Sequence, residues 1–384
     1  MKYNSVLRIF LFFTISHIYS NPHALQLGCF TRIHPLDKHS PSLIERSTII
    51  FGQTGHSIEH NTNFDWEYYV THNNLVGIET EEEAYEHYIN YGKAQNLPYC
   101  KSFNMLIVMH LFEMPLIDWL IDKTNNFIKN NPSNSYAIKI TIPVDTNIKK
   151  FNPLHATSIE IPKKIIGSVR RLAPYHKKVV NRKNAPVLYK IAHYLYNRLN
   201  IPKEKIQIIF CENRGVDIGG FFLALDQIVK QQQPHDFLVK FHSKADEEWR
   251  IGLTPFLDLR VNKILNYYGC MYSSNLKYPD HCNDPRHLER LRKMFGLEDV
   301  SEFNFAIGTM FIVSSQFTQF VSNWDFIKNF NLLNKGHNYG YEPYFERLFG
   351  CIFHKLKLAS YYFADFPATP IIPPHSTALS SFIV

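Results

Sequence analysis

Cysteine is scarce in this chain. Six of its 384 residues are cysteine and no two form a C-x-x-C pair. A structural zinc site is therefore disfavoured, and the count is too thin for a fold stapled by disulfides. Beyond residue 20 no stretch reads as a membrane span. Neither the Walker A nor the Rossmann glycine pattern occurs. Basic clusters interleaved with aromatics are missing too, which sets nucleic acid aside as a partner. The chain is rich in asparagine, yet its one N-x-S/T match, Asn131-Pro132-Ser133, is disqualified by proline. That absence argues against a glycosylating lumen.

What remains is ordinary globular composition, long enough for one large domain or two. Aromatics are abundant, with 30 Phe and 22 Tyr. A bulky core is the first reading, and stacking on sugars or bases the second. The net charge of +7 suits an anionic partner such as a nucleotide, a phosphate or an acidic membrane surface. At the N-terminus, Lys2 and Arg8 precede an apolar run from Ile9 to Tyr19, then Ser20. This resembles a signal peptide, cleaved or kept as a membrane anchor; a buried N-terminal strand is the alternative. The first reading places the protein in the secretory pathway, the endomembrane lumen or outside the cell, and the second in the cytoplasm.

Residues 21–60 are polar and proline-punctuated, and read as a linker or extension. Residues 61–100 read as a small helical module. In it, Thr80 and Glu83 form a capping box, Phe64, Trp66 and Tyr69 pack on the helix, and Gly92 is a C-cap. From 101 to 384 strands and helices alternate: "FNMLIVMHLF" (103–112), "PLIDWLIDKTNNFIKN", "SYAIKITIP" (135–143), "NAPVLYKIAHYLYNRLN", "IQIIFC" (206–211), "GFFLALDQIVKQQQ" and "DFLVKFHSK" (236–244). That rhythm predicts an α/β layer with a mainly parallel sheet flanked by helices.

Ligands of such sheets bind beyond the carboxyl ends of the strands. "ENRGVDIGG" sits at one such end. Gly215, Gly219 and Gly220 would let backbone approach a ligand. Arg214 would pair with phosphate or fix Asp217, and Asp217 would take a sugar hydroxyl or cap the next helix. An ordinary tight turn is the plain alternative. "KFHSK" sits at another end. Alternation puts Lys240, His242 and Lys244 on one face, three potential cations for an anion, unless Lys240 pairs with a buried aspartate. Glu342 and Glu346 stand one turn apart on a predicted helix that also carries Arg347. A carboxylate there could deprotonate an acceptor hydroxyl, although a solvent-facing pair is the common fate of such spacing. "DHCNDPRH" (280–287) matches no metal motif.

Taken in order, five segments resemble the rhamnan synthesis F family of glycosyltransferases: "ENRGVDIGGFF", "HDFLVKFHSKAD", "YYGCMYSSN", "FAIGTMFIV" and "ERLFG". The resemblance spans about residues 104 to 350. The 61–100 module is similar to a unit found beside such enzymes. Val216, Gly220, Ala245 and Ile312 depart from the family pattern. The resemblance implies a GT-A-like, nucleotide-sugar-binding fold that moves a hexose or deoxyhexose, rhamnose included, to a glycan or lipid-linked acceptor. It implies Asn213, Arg214, Gly215, Asp217, Gly219, Lys240, His242, Lys244, Thr309 and Arg347 at the donor, with Glu342, Glu346 or Asp217 catalytic. The nucleotide-sugar donor is a substrate, no cofactor is certain, and a divalent metal is kept as an alternative that is not predicted. No acidic pair follows "HSK", so Lys240, His242 and Lys244 are expected to replace a divalent metal at the leaving diphosphate. The departures motivate a rival: an inactive protein that keeps the fold and binds a nucleotide sugar or glycan.

Overall fold

The computed structural model describes residues 30–33 and 64–363, except 145, 152–158, 163–164, 264, 266–268, 273–284, 302 and 336–339. The signal or anchor expected at 1–20, most of the 21–60 extension and most of "DHCNDPRH" lie outside the described residues. Within the segment expected to be a linker or extension, Phe30–Ile33 (β1) is a strand.

The N-terminal module has its own small core. Trp66–His72 (α1) is capped by Asp65, and Glu81–His87 (α2) opens with the expected Thr80–Glu83 capping box. Phe64, Tyr69, Ala84, Tyr85 and Tyr88 pack between them. Gly92 ends a π-helical turn rather than acting as a left-handed cap. A Cβ there would lie 2.1 Å from the Tyr69 hydroxyl oxygen, so its bareness serves close packing.

Asn104–His110 (β2) is apolar on both sides, as a central strand needs to be. The amphipathic helix Ile117–Asn130 (α3) covers one face and leads to Ser135–Pro143 (β3). Ile166–Arg171 (α4) and Ala185–Arg198 (α5) follow, then Ile206–Cys211 (β4). Val216–Lys230 (α6) crosses to Phe237–His242 (β5). Beyond lie Glu247–Leu253 (α7), Gly269–Tyr272 (β6), Pro285–Met294 (α8), Phe311–Ser314 (β7), Gln316–Phe320 (α9), Phe326–Leu332 (α10), Glu342–Lys355 (α11) and Ala359–Phe363 (β8).

Six strands form the body of the sheet, in the order β6-β7-β5-β2-β3-β4, with β8 and then β1 continuing beyond β6. The run β5-β2-β3-β4 is parallel, and β7 is antiparallel to both its neighbours. The result is an α/β fold with a mixed, mostly parallel sheet and helices packed against it. From β2 the chain steps outward to β3 and β4. It then returns along α6 to β5, on the other edge of β2. The reversal makes a topological switch point between β2 and β5, where their carboxyl ends diverge. His110 closes β2 and His242 closes β5, and the two are register partners.

Helix α6 begins earlier than the sequence pattern implies. Val216 to Gly220 form its first turn, so Gly219 and Gly220 are helical and not loop residues. Packing requires both. A Cβ on Gly219 would lie 1.9 Å from the Arg214 carbonyl oxygen, and one on Gly220 would lie 2.2 Å from His110 Nδ1 and 2.6 Å from Thr141 Oγ1. Gly220→Ala should therefore push the start of α6 off β2 and β3. The expected loss is about 1–3 kcal/mol of unfolding free energy, read from a urea midpoint. A midpoint matching the parent's would show that the helix has room to spare.

Candidate active site

The turn between β4 and α6 is strained toward one purpose. Gly215 (φ 65°) and Val216 (φ 51°) are both left-handed, a region a β-branched residue rarely enters. The strain, of order 1–3 kcal/mol, aims the next residue, Asp217, at the sheet. Lys240 reaches up from β5 and donates from Nζ to Asp217 Oδ2 at 2.7 Å. Its other two bonds go to Thr309, at 2.8 Å to the carbonyl oxygen and 2.7 Å to Oγ1. The Thr309 hydroxyl in turn donates to Asp217 Oδ2. Gly308 (φ 67°) and Thr309 (φ 52°) make a second left-handed turn that brings this threonine inward.

Every bond to the Asp217 carboxylate lands on Oδ2. Among the described residues no donor reaches Oδ1, and the side chain keeps 14% of its surface open. Burial opposes its ionisation, but the Lys240 ammonium and the Thr309 hydroxyl hold its carboxyl well below the usual range. The group is an anion with one oxygen tied and one facing outward.

Glu346 of α11 lies beside it. Its Oε1 accepts from the Gly308 N–H, next in the chain to the Thr309 that bonds Asp217. Burial, then the Asp217 charge, push Glu346 up to about 7, against the Gly308 bond and the Arg347 charge. The two carboxyls thus titrate far apart, the arrangement that separates an ionised group from a proton-transferring one. Neither glutamate of α11 faces solvent in the manner common for this spacing. Glu342 is buried, with Oε2 accepting from the Gly340 N–H and Oε1 without a hydrogen-bond partner among the described residues.

The other expected residues have separate parts. Arg214 donates to the carbonyls of Asn331 (3.1 Å) and Leu333 (2.9 Å), tying its turn to the end of α10. Gly215 donates to Asn334, and a Cβ on it would meet Leu333 at 2.3 Å. Asn213 is half-buried in the same turn. Arg347 is buried over the Phe305 ring and donates to the Pro343 carbonyl at 2.9 Å. These contacts make Arg214 and Arg347 parts of the scaffold. The three expected cations also divide. Lys240 is balanced by Asp217. His242 is buried and held down to about 3 by that burial, so it is neutral at physiological pH. Lys244 stays half-buried past the strand end, and its charge acts on Lys240, His242 and Glu346.

His110 belongs to the site and the motifs did not point to it. Its Nδ1 lies 2.9 Å from Thr141 Oγ1, and its Nε2 is buried with no hydrogen-bond partner among the described residues. His242 Nδ1 makes no hydrogen bond among them either and lies 3.5 Å from Asp217 Oδ2. Burial lowers His110 to about 4. The available signal was a histidine closing a buried strand, the same position His242 holds. Among the described residues no cluster of three or more His, Cys, Asp or Glu is placed to hold a metal ion. No protein-family model matches the chain, and no curated protein matches it.

The two histidines carry a signed pH prediction. Their folded values, about 4 and about 3, lie below the ordinary 6.5. The unfolded chain therefore binds protons that the folded one refuses. The stability this gives is present above pH 6.5 and is lost as pH falls toward 4. Between pH 7 and 5 each histidine should cost about 2 kcal/mol. Glu346, pushed up to about 7, regains stability over the same fall in pH and offsets part of this loss. The difference between the parent and His242→Gln in urea unfolding at the two pH values therefore isolates one histidine, and the variant should show the flatter slope. An unchanged slope would show that the ring is solvated.

Proposed function

We propose that this chain transfers a sugar from a nucleotide-sugar donor to a hydroxyl of a glycan or lipid-linked acceptor, as its resemblance to the rhamnan synthesis F glycosyltransferases implies. The observation that carries the reading is the split carboxyl pair at the β2/β5 switch point: Asp217 ionised with Oδ1 open, and Glu346 poised near neutrality. An open carboxylate oxygen accepts hydrogen bonds from sugar or ribose hydroxyls. Glu346, unprotonated, takes the proton of the acceptor hydroxyl as that oxygen attacks the anomeric carbon. The bond from that carbon to the diphosphate breaks, and the diphosphate leaves with the electron pair. Lys244 is the charge nearest to hand for it, acting as a point charge rather than a fork. The mostly parallel α/β sheet is compatible with the GT-A-like architecture that the resemblance implies.

A second reading has its own support. Lys240 is fully balanced and His242 is neutral, so the expected cation supply for a leaving diphosphate shrinks. A protein that binds a nucleotide sugar without turning it over would tolerate that. A donor panel read by thermal shift and by product formation separates the two, since a bound ligand raises stability by mass action. Stabilisation with no transfer or hydrolysis favours the binding protein.

For the transferase, Asp217→Asn should lower turnover tenfold or more, roughly 1.4 kcal/mol. Activity within twofold of the parent would reduce Asp217 to a structural partner of Lys240. Glu346→Gln should cost about 100-fold while donor-induced stabilisation persists. In the parent, kcat/KM should rise with pH through about 7, following the Glu346 carboxyl. A rising limb that survives Glu346→Gln would assign it to another group.

A further inference from the structure

Helix α7 follows directly on the strand end that carries the site. Asp246 caps it, accepting from the Trp249 N–H at 2.9 Å. Arg250 is buried, donates to the Lys244 carbonyl at 2.7 Å and lies over the Trp119 ring at 5.2 Å. At its end Leu253 is buried against the Gly308 turn, where a Cβ on Gly308 would meet it at 2.6 Å. The helix is thus fixed at both ends to pieces of the candidate site. Yet Trp249, in its middle, leaves 44% of its surface in solvent. Lys244 Nζ lies over that ring, 4.8 Å from its centre, a cation–π contact that takes one face of the indole. The same ammonium acts on Glu346 and His242. The indole thus touches a cation whose charge reaches the group assigned to proton transfer.

We propose that Trp249 is the stacking platform of a neutral saccharide subsite, the place where the sugar unit bearing the acceptor hydroxyl rests. The proposal rests on the transferase reading for its role, but saccharide binding itself does not. An indole face offers apolar area to the C–H face of a pyranose at low entropic cost. Its surroundings suit a polyol better than a lipid. Glu247 and Glu248 are exposed beside it and accept hydroxyl hydrogens, while Lys244 donates. Both signs of charge around one aromatic ring favour a neutral hydrogen-bonding partner. A rigid, capped helix keeps the ring oriented before the sugar arrives, which reduces the ordering cost of binding.

The test uses the full chain and three probes: maltohexaose, cellohexaose and a rhamnose hexasaccharide. Saturation-transfer NMR and tryptophan fluorescence report binding. At least one probe should bind the parent, weaken about tenfold or more in Trp249→Ala, and largely recover in Trp249→Phe. Donor-induced stabilisation should persist in all three proteins, and where transfer is measurable KM for the acceptor should rise with kcat less affected. Thermal unfolding confirms that the variants fold, as expected for a half-exposed side chain. Binding that ignores Trp249→Ala overturns the subsite, and so does the absence of binding by all three probes. Probe binding lost in Trp249→Ala without any donor turnover keeps the subsite and sinks the transferase reading instead.

Discussion

The contact between Lys240 and Asp217 is the constraint on which the site depends. An ammonium in the middle of a buried strand is untenable alone. Here its three hydrogens are all placed, one on a carboxylate and two on a single threonine. Each partner comes from a different part of the chain, separated by 23 and 69 residues. The pair therefore pins the start of α6, the end of β5 and the 308–309 turn to one another. Removing one member of such a pair strands the other's charge, a cost of about 3–5 kcal/mol. That scale can hold two left-handed non-glycine residues, Val216 and Thr309, in conformations they would otherwise leave.

The same pair sets the electrostatics around it. Glu346 keeps its proton up to about 7, first through burial and then through the Asp217 charge. His110 and His242 sit closer to the sheet, where burial outweighs the Asp217 charge and keeps both rings neutral. The net +7 of the chain is therefore a poor guide to its candidate site. Within the site the open oxygen is anionic, the histidines are uncharged, and Lys244 supplies the cation at the rim.

The strands could be read from the sequence because a parallel strand buried on both faces is a continuous apolar run, and "NMLIVMH" and "IQIIFC" are little else. Asp217, Lys240 and Glu346 could be named from the sequence: the first on a glycine-rich turn after a strand, the second as a charge inside an apolar run, the third on a patterned helix. Thr309 came with the family resemblance. Their grouping could not be read, since a charge pair 23 residues apart leaves no periodic trace. The shared face of Lys240 and His242 was correct, but alternation says nothing of charge state. His110 lay outside every motif because one histidine after an apolar run has no spacing to test. Gly219 and Gly220 misled in an instructive way. Glycine pairs favour loops in general, yet here they mark where a helix must press against His110 and the Arg214 carbonyl.

That last point bears on how a diphosphate would be met. In the glycine-rich phosphate loops of nucleotide-binding folds, bare backbone approaches the ligand and its amides hold the phosphates. In "ENRGVDIGG" the space each glycine leaves is filled by protein: Leu333 at Gly215, the Arg214 carbonyl at Gly219, His110 and Thr141 at Gly220. The Gly215 N–H is already given to Asn334 and the Gly219 N–H to Gly215. The turn thus spends its flexibility on aiming Asp217 rather than on cradling an anion. On the transferase reading, recognition then falls to side chains: Asp217 Oδ1 for a hydroxyl, Lys244 for negative charge, Glu346 for a proton. Side-chain recognition is sensitive to single substitutions in a way that an amide cradle is not, because a backbone N–H survives mutation and a carboxylate does not.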